Sequence, residues 1–354
     1  MKSVLTAGLL TLPILLTGCG GGSGSVDSTS TTGTLNLSLT DAPIDEASQV
    51  IVEFSGVSIK KQTEDTQPEN TTSEATEEDT ADSSEWVNIT FDAPVSINLL
   101  DLQGSQNYKL LSGQELETGT YSEIRLHIHT DDQDGDLENY ITLTEGGAQH
   151  EITIPSGLQT GLKVKGDITI PENGEAAFTI DFDVRKSIVV QGNGEYKLKP
   201  VLKLIQDELT GTISGSVATE LLSTDTVGSQ WSCSDDDVNS YNAAYLFSGI
   251  TDPLVDISET GSEPLSTALV TANTEGVYQF EFGYVPAGEY QVAFTCNADA
   301  ESYTETDDGQ GNITMQANSG DDLQFIGTQT VTVTAGQTTP VTINAPAIEA
   351  PPAS

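Results

Sequence analysis

The chain has 354 residues, enough for two domains of ordinary size plus tails. Its 54 Asp and Glu against 12 Lys and Arg leave a formal net charge of -42. That balance excludes a nucleic-acid binder, because phosphate backbones are gripped by Lys and Arg, and it disfavours an electrostatic hold on anionic lipid. Apolar residues make up 36% of the chain, sufficient for packed cores, so wholesale disorder is excluded too.

Residues 1–18 have the pattern of an export signal. Lys2 supplies a short positive region, residues 4–16 are an apolar stretch too short to span a bilayer, and Leu16-Thr17-Gly18-Cys19 closes it. This ending resembles a bacterial lipobox, in which a cysteine receives diacylglycerol and becomes the new amino terminus after cleavage. The resemblance implies a second acylation at Cys19, and two acyl signals hold a protein at a membrane where one binds marginally. Gly20 follows in place of Asp, which by the same resemblance implies the outer membrane, facing either the periplasm or the outside. Residues 19–33 then form the lipidated cysteine and a Gly/Ser/Thr tether. Of the two remaining cysteines, Cys233 and Cys296, an oxidising compartment predicts a disulfide contributing about 4 kcal/mol in the chain-entropy picture.

The mature chain alternates in period two. Leu35, Leu37 and Leu39 are followed by Val50, Val52 and Phe54, by Ile124, Leu126 and Ile128, and by Phe178, Ile180 and Phe182. No segment sustains an apolar helical face, and Gly, Asn, Asp and Pro punctuate it about every ten residues. The expected fold class is all-β, two β-sandwich-like domains in tandem: residues 34–207 and residues 210–345, with a tail at 346–354. Residues 61–85 carry nine acidic residues and no aromatic, and read as a disordered insertion between two strands, with a calcium-binding patch as the alternative. In the second domain residues 212–217, 243–247, 277–282, 289–296, 328–334 and 338–343 are strand-like, and Pro340 places the last of these at a sheet edge.

Two family resemblances attach to these segments. Gly276-Val277-Tyr278-Gln279-Phe280 with Val285-Pro286-Ala287-Gly288-Glu289-Tyr290 resembles the carboxypeptidase regulatory-like, or prealbumin-like, sandwich. The first domain contains four blocks in order, Gly33-Thr34-Leu35 through Asp41-Ala42-Pro43, Tyr121-Ser122-Glu123-Ile124-Arg125-Leu126, Ile154-Pro155-Ser156-Gly157, and Phe182-Asp183-Val184-Arg185-Lys186 through Lys199-Pro200-Val201. Together they resemble the bacterial lipoprotein family known as domain of unknown function 4382. This resemblance implies an envelope address and no reaction.

Residues capable of chemistry are few. His127 and His129 stand two apart on a strand and project from one face, with Asp131 one step beyond; these two imidazoles and the carboxylate, with His150 as a third nitrogen donor, are candidate ligands for Zn²⁺ or Cu²⁺, against the reading of a polar solvent face on which Arg125 opposes a bound cation. Asp131, Asp132, Asp134 and Asp136 have the oxygen density that Ca²⁺ takes, but the EF-hand spacing fails, with Leu143 where the bidentate Glu belongs. Asp235, Asp236 and Asp237 form a second acidic loop. Arg185 and Lys186 with Asp181 and Asp183 read as a charged strand pairing across its sheet. Trp86 and Trp231, with Tyr241, flank loops and are candidate platforms for sugar rings, against use in packing. No nucleophile elbow, zincin motif or phosphate-cradling loop is present, so the expectation is a protein that is not an enzyme, without a required cofactor although Ca or Zn is possible. The expected role is a lipid-anchored envelope binding or scaffold module, with a carbohydrate-binding module and a divalent-metal protein as alternatives, and with a glycan or an envelope protein as partner.

The charge is unevenly placed. All twelve basic residues lie at or before Lys203, while residues 204–354 contain 22 acidic residues and no Lys or Arg. Like charges repel over a distance that salt shortens. The melting temperature of the second domain, followed by circular dichroism, therefore rises as sodium chloride is added; a flat response contradicts the reading.

Overall fold

Wherever the chain repeats an apolar residue at every second position, one face of an extended strand is apolar and needs a partner layer. The computed structural model describes residues 31–42, 47–62, 85–130, 137–144, 146–155, 160–191, 194–222, 241–250, 254–255, 263–298, 303–307, 313–317 and 323–345. The first half contains β1 (Thr32–Ala42), β2 (Ala47–Lys61), β3 (Trp86–Asn98), β4 (Tyr108–Glu117), β5 (Gly119–Ile128), β6 (Tyr140–Leu143) and β7 (Gln149–Thr153). It continues with β8 (Leu162–Ile170), β9 (Glu175–Asp183), a one-turn helix α1 (Val184–Ser187), β10 (Ile188–Val190), β11 (Tyr196–Leu198) and β12 (Leu202–Gln206). The second half contains β13 (Thr210–Val217), β14 (Ala243–Ser248), β15 (Ser266–Leu269), β16 (Thr271–Ala272), β17 (Tyr278–Pro286) and β18 (Gly288–Thr295). A hairpin of β19 (Tyr303–Asp307) and β20 (Ile313–Ala317) follows, then β21 (Ile326–Val333) and β22 (Thr338–Ile343). Among the described residues no helix is long and apolar enough to cross a membrane.

Each half is a pair of sheets. In the first, a four-stranded sheet of order β12-β9-β1-β4 shares one apolar core with an eight-stranded sheet of order β10-β11-β7-β6-β2-β5-β8, to which β3 is added on β2. Leu35, Leu37 and Leu39 of β1 and Val50, Val52 and Phe54 of β2 are fully buried, as their alternation predicts. β9 is central: β1 runs parallel on one side and β12 antiparallel on the other, and Thr179, a polar position of the alternation, is buried as well. In the second half the sheets β16-β17-β13-β22 and β15-β14-β18-β21 enclose a separate core that includes Ile213, Phe280, Val292 and Phe294. The expected all-β class with two sandwich-like halves is observed. β22 is the outermost strand of its sheet, where Pro340 withholds no ladder hydrogen bond from a further neighbour.

Both sandwiches turn the same corner. The segments Glu117-Thr118-Gly119-Thr120-Tyr121 and Pro286-Ala287-Gly288-Glu289-Tyr290 each carry the chain from one sheet to the other, β4 to β5 and β17 to β18. In each, the tyrosine hydroxyl donates back to the carbonyl four residues earlier, Tyr121 to Glu117 at 2.9 Å and Tyr290 to Pro286 at 2.8 Å. A glycine two residues before the tyrosine lets the backbone bend, and the buried ring keeps its polar tip satisfied.

One expectation fails. Arg185 and Lys186 do not lie on a strand that pairs across its sheet; they form the single turn of α1. Asp183 caps that turn by accepting from the Lys186 amide at 3.2 Å, and Asp41 accepts from the Val184 amide at 3.2 Å, so two buried carboxylates divert the chain out of the extended form. The expected insertion at 61–85 lies largely outside the described residues; the strands flanking it pair directly, with Lys60 opposite Trp86.

In the second core Gly215 faces Phe280 across the β13–β17 ladder, and a Cβ at Gly215 would overlap the phenyl ring. Gly215→Ala accordingly destabilises the protein by about 1–3 kcal/mol, read by denaturant unfolding, because the added methyl overlaps a buried ring that must shift within the core.

Candidate functional site

The two sandwiches meet at a seam built from opposite chemistries. The second half has no Lys or Arg, and the first half lends it three. The Lys186 ammonium on α1 donates to the Pro264 carbonyl at 3.1 Å, the Lys203 ammonium on β12 donates to the Leu265 carbonyl at 2.7 Å, and the Arg185 guanidinium donates to the Thr267 hydroxyl at 3.2 Å. Arg185 also lies 5.9 Å from the centre of the Tyr245 ring. All three acceptors sit at the entry to β15 or within it, so a short segment of one sheet is clamped by charge-assisted hydrogen bonds.

A second group of contacts fixes the other side of the seam. The Ser105 amide donates to the Glu281 carboxylate at 2.9 Å, and the Asn107 amide group donates to the Tyr284 hydroxyl at 2.5 Å. Tyr284 has φ +52°, a left-handed conformation that a tyrosine adopts only when its surroundings impose it. Beside it Gly283 lies so close to Gly104 that a Cβ would collide with the Gly104 carbonyl. The bulge in the β13–β17 ladder between Gly211 and Ile213 supplies the kink that aims Tyr284 at the first half.

Between these clamps lies a cavity of about 250 Å³. Thr40, Asp41, Asp181 and Lys203 reach it from the first half, and Leu246, Leu265, Ser266, Glu281, Phe282, Tyr284 and Tyr290 from the second. Asp181, with only 14% of its side chain exposed, lies 4.0 Å from the Lys203 ammonium. Burial pushes its carboxyl up to about 6; Lys203 opposes that rise, Asp183 adds to it, and Lys186 opposes it. Burial likewise raises the phenol of Tyr284 and the carboxyl of Asp207, in the short link between the sandwiches.

The residues singled out from the sequence lie elsewhere. His127 Nε2 is 2.6 Å from the Ser58 hydroxyl, which itself donates to Asn88 Oδ1 at 2.6 Å; with that hydroxyl hydrogen committed, Nε2 is the donor and only Nδ1 retains a lone pair. Burial and the neighbouring Arg125 charge lower the His127 pKa. His129 Nε2 lies 3.9 Å from the Glu53 carboxylate, and the His150 ring packs 5.2 Å from Tyr196. Among the described residues no group of three or more His, Cys, Asp or Glu is placed to hold a metal ion. Trp86 opens β3 with the Arg125 guanidinium 4.1 Å above its ring, held there by Glu123 at 2.7 Å, so a sugar stacking on that face would have to displace Arg125. Cys296 is buried at the end of β18. Cys19, Asp131, Trp231, Cys233 and the loop Asp235-Asp236-Asp237 lie outside the described residues.

Residues 32–200 match the profile of a protein family described as a domain of unknown function, DUF4382. No curated protein matches the chain. Among solved structures, a candidate carbohydrate binding protein from Pseudomonas aeruginosa is 15% identical, with 40% of this chain and 91% of that chain covered and a TM-score of 0.19. The minor pilin GBS52 of Streptococcus agalactiae is 9% identical over 91% of this chain and 99% of its own, with a TM-score of 0.19. The Bacillus anthracis TIE protein is 9% identical over 89% of this chain and 34% of its own, with a TM-score of 0.18. Superpositions this loose transfer no role.

Asp181 was legible only as one member of a charged segment, and Lys203 only as the last cation of the chain. Nothing local marks Tyr284. Because the Asp181 carboxyl is raised in the folded state to about 6 from the ordinary 3.8, the native protein holds the proton more tightly, and stability falls as pH rises from about 4 to about 6. Asp181→Asn therefore raises the melting temperature at pH 7.5, by a free energy of up to roughly 3 kcal/mol, and the difference from wild type shrinks toward pH 4. A variant less stable than wild type at pH 7.5 contradicts this account.

Proposed function

We propose that the protein is a non-catalytic, lipid-anchored envelope component whose two β sandwiches act together as a binding or scaffold module. Cys19 directly after the apolar run is the single observation that carries the address, and Gly20 in place of Asp at the next position supports the outer membrane by its resemblance to lipoprotein sorting signals. In this reading the residues after Cys19 are the spacer between the anchor and β1, which opens at Thr32 and already includes the last two residues of the expected tether. The second sandwich is assigned to the carboxypeptidase regulatory-like type on the Pro286-Ala287-Gly288-Glu289-Tyr290 corner, with Cys233 and Cys296 forming a disulfide suited to an oxidising compartment. Burial of Cys296 supports a structural role for that sulfur.

The seam supports the scaffold reading. Two domains joined only by a flexible link reorient by default, whereas here three charge-assisted bonds and the Gly104–Gly283 approach lie between them. A rigid pair can present a surface in a defined direction from an anchored end. Carbohydrate binding is the second reading, favoured by one observation: the seam cavity sets polar groups against an apolar wall, the arrangement by which small ligands are recognised.

Cell fractionation tests the address. Cys19→Ser moves the protein from the membrane fraction to the soluble one and abolishes its labelling by a fatty-acid analogue; a variant that stays equally membrane-associated removes the anchor.

A further inference from the structure

We propose that the seam cavity is a binding site for one neutral monosaccharide unit, held by Asp181 and Lys203. The proposal rests on the binding-module reading above and names the ligand class that such a module takes at this place.

The cavity itself sets the size. At about 250 Å³ it lies below the range of about 300–1,000 Å³ typical of drug-sized ligands, so its occupant is a single small ring and not an oligomer. It is larger than a solvent void: it would take roughly eight waters at about 30 Å³ each. Its walls belong to two sandwiches clamped together, so the space is formed before any ligand arrives, and binding need not order the protein.

The polar groups set the chemistry. Asp181 is almost buried, yet among the described residues no donor hydrogen-bonds its carboxylate, and its one partner is Lys203 at 4.0 Å. A buried carboxylate ordinarily accepts several hydrogen bonds, so this one has capacity for donors from a ligand. The other carboxylates on the cavity are already engaged, Asp41 with the Val184 amide and Glu281 with the Ser105 amide. Lys203 commits one of its three donors to Leu265 and faces the same space. With a carboxylate and an ammonium side by side, a cationic ligand meets Lys203 and an anionic one meets Asp181, each at a cost. A neutral polyol meets both favourably, its hydroxyl hydrogens on Asp181 and a hydroxyl oxygen accepting from Lys203.

The opposite wall completes the match. Leu246, Phe282 and Tyr290 are buried and apolar there, with Tyr284 at its edge. A sugar ring has hydroxyls around its rim and C–H groups on its face, and can present the first to Asp181 and Lys203 and the second to the aromatic wall. Tyr284 is held in its left-handed conformation at this point, which adds an ordered aromatic side chain to the boundary of the site.

Saturation-transfer NMR on the purified mature protein, with a panel of glucose, galactose, mannose and N-acetylglucosamine, tests the site directly. Glucuronate and putrescine serve as the anionic and cationic comparisons. The expected result is contact with at least one neutral sugar, weakened tenfold or more in Asp181→Ala and in the cavity-filling Ser266→Trp while both variants still melt cooperatively. Wild-type affinity should also fall as pH drops below about 6. Should Ser266→Trp fail to fold, Asp181→Asn and Lys203→Met carry the same comparison. The site is overturned if no neutral sugar binds, if only glucuronate or putrescine binds, or if the variants bind as wild type does. A glycan array probed with the same proteins separates the two levels: array binding that survives Asp181→Ala and Ser266→Trp removes the cavity and leaves the module reading, while a blank array together with a blank NMR panel removes the carbohydrate reading as well.

Discussion

Three cations crossing one seam are the interaction on which this architecture depends. After Lys203 the chain carries 22 acidic side chains and no positive one to set beside them. A sandwich so composed gains by docking on a neighbour that brings ammonium and guanidinium groups to it. Arg185, Lys186 and Lys203 are placed where they can do this because α1 interrupts the path from β9 to β10, and because β12 lies alongside β9 at the edge of its sheet. Hydrogen bonds from charged donors contribute about 1.5–3 kcal/mol each, so the three together are comparable to a large share of a domain's net stability.

The same seam carries its costs. A carboxylate is kept largely out of water at Asp181, a tyrosine is kept in a left-handed backbone conformation at Tyr284, and Gly283 is pressed so closely on the Gly104 carbonyl that it tolerates no side chain. Each of these would be relieved by a simpler residue. Concentrated in one place around a preformed cavity, they are the pattern of a site in which local stability has been given up for an arrangement of groups.

Much of the fold was legible from alternation alone. The apolar positions of β1, β2, β5 and β9 are the ones buried, and Pro340 was sufficient to put β22 at an edge. The errors have physical causes. Arg185 and Lys186 follow a run of perfect period-two alternation, so continuation as strand was the natural extrapolation; the carboxylates of Asp41 and Asp183 that cap α1 come from a tertiary arrangement and a local cap that period counting does not weigh. His127 and Trp86 are chemically versatile side chains, yet each is occupied by a neighbour within its sheet, His127 by Ser58 on the adjacent β2 and Trp86 by Arg125, which reaches it from β5 across β2. The repeated corner at Tyr121 and Tyr290 is visible in both segments once the glycine two residues earlier is compared, but its function as a passage between sheets is not, because sheet membership depends on which strands pair.

By itself the sequence determined the all-β class, the two stretches of strands, the confinement of every cation to the first 203 residues and the linear export signature ending at Cys19. These are properties of neighbouring residues or of totals, and they need no knowledge of what meets what. Tertiary structure alone decided the seam, the cavity and the environment of Asp181. The groups that form them come from β1, β9, α1, β12, β15 and β17, separated along the chain by tens to nearly two hundred residues; Asn107 and Tyr284, for one, are 177 apart. A carboxylate's burial, its distance from an ammonium and the space left before it are set by how two folded surfaces close on each other, and no local pattern of side chains encodes that closure.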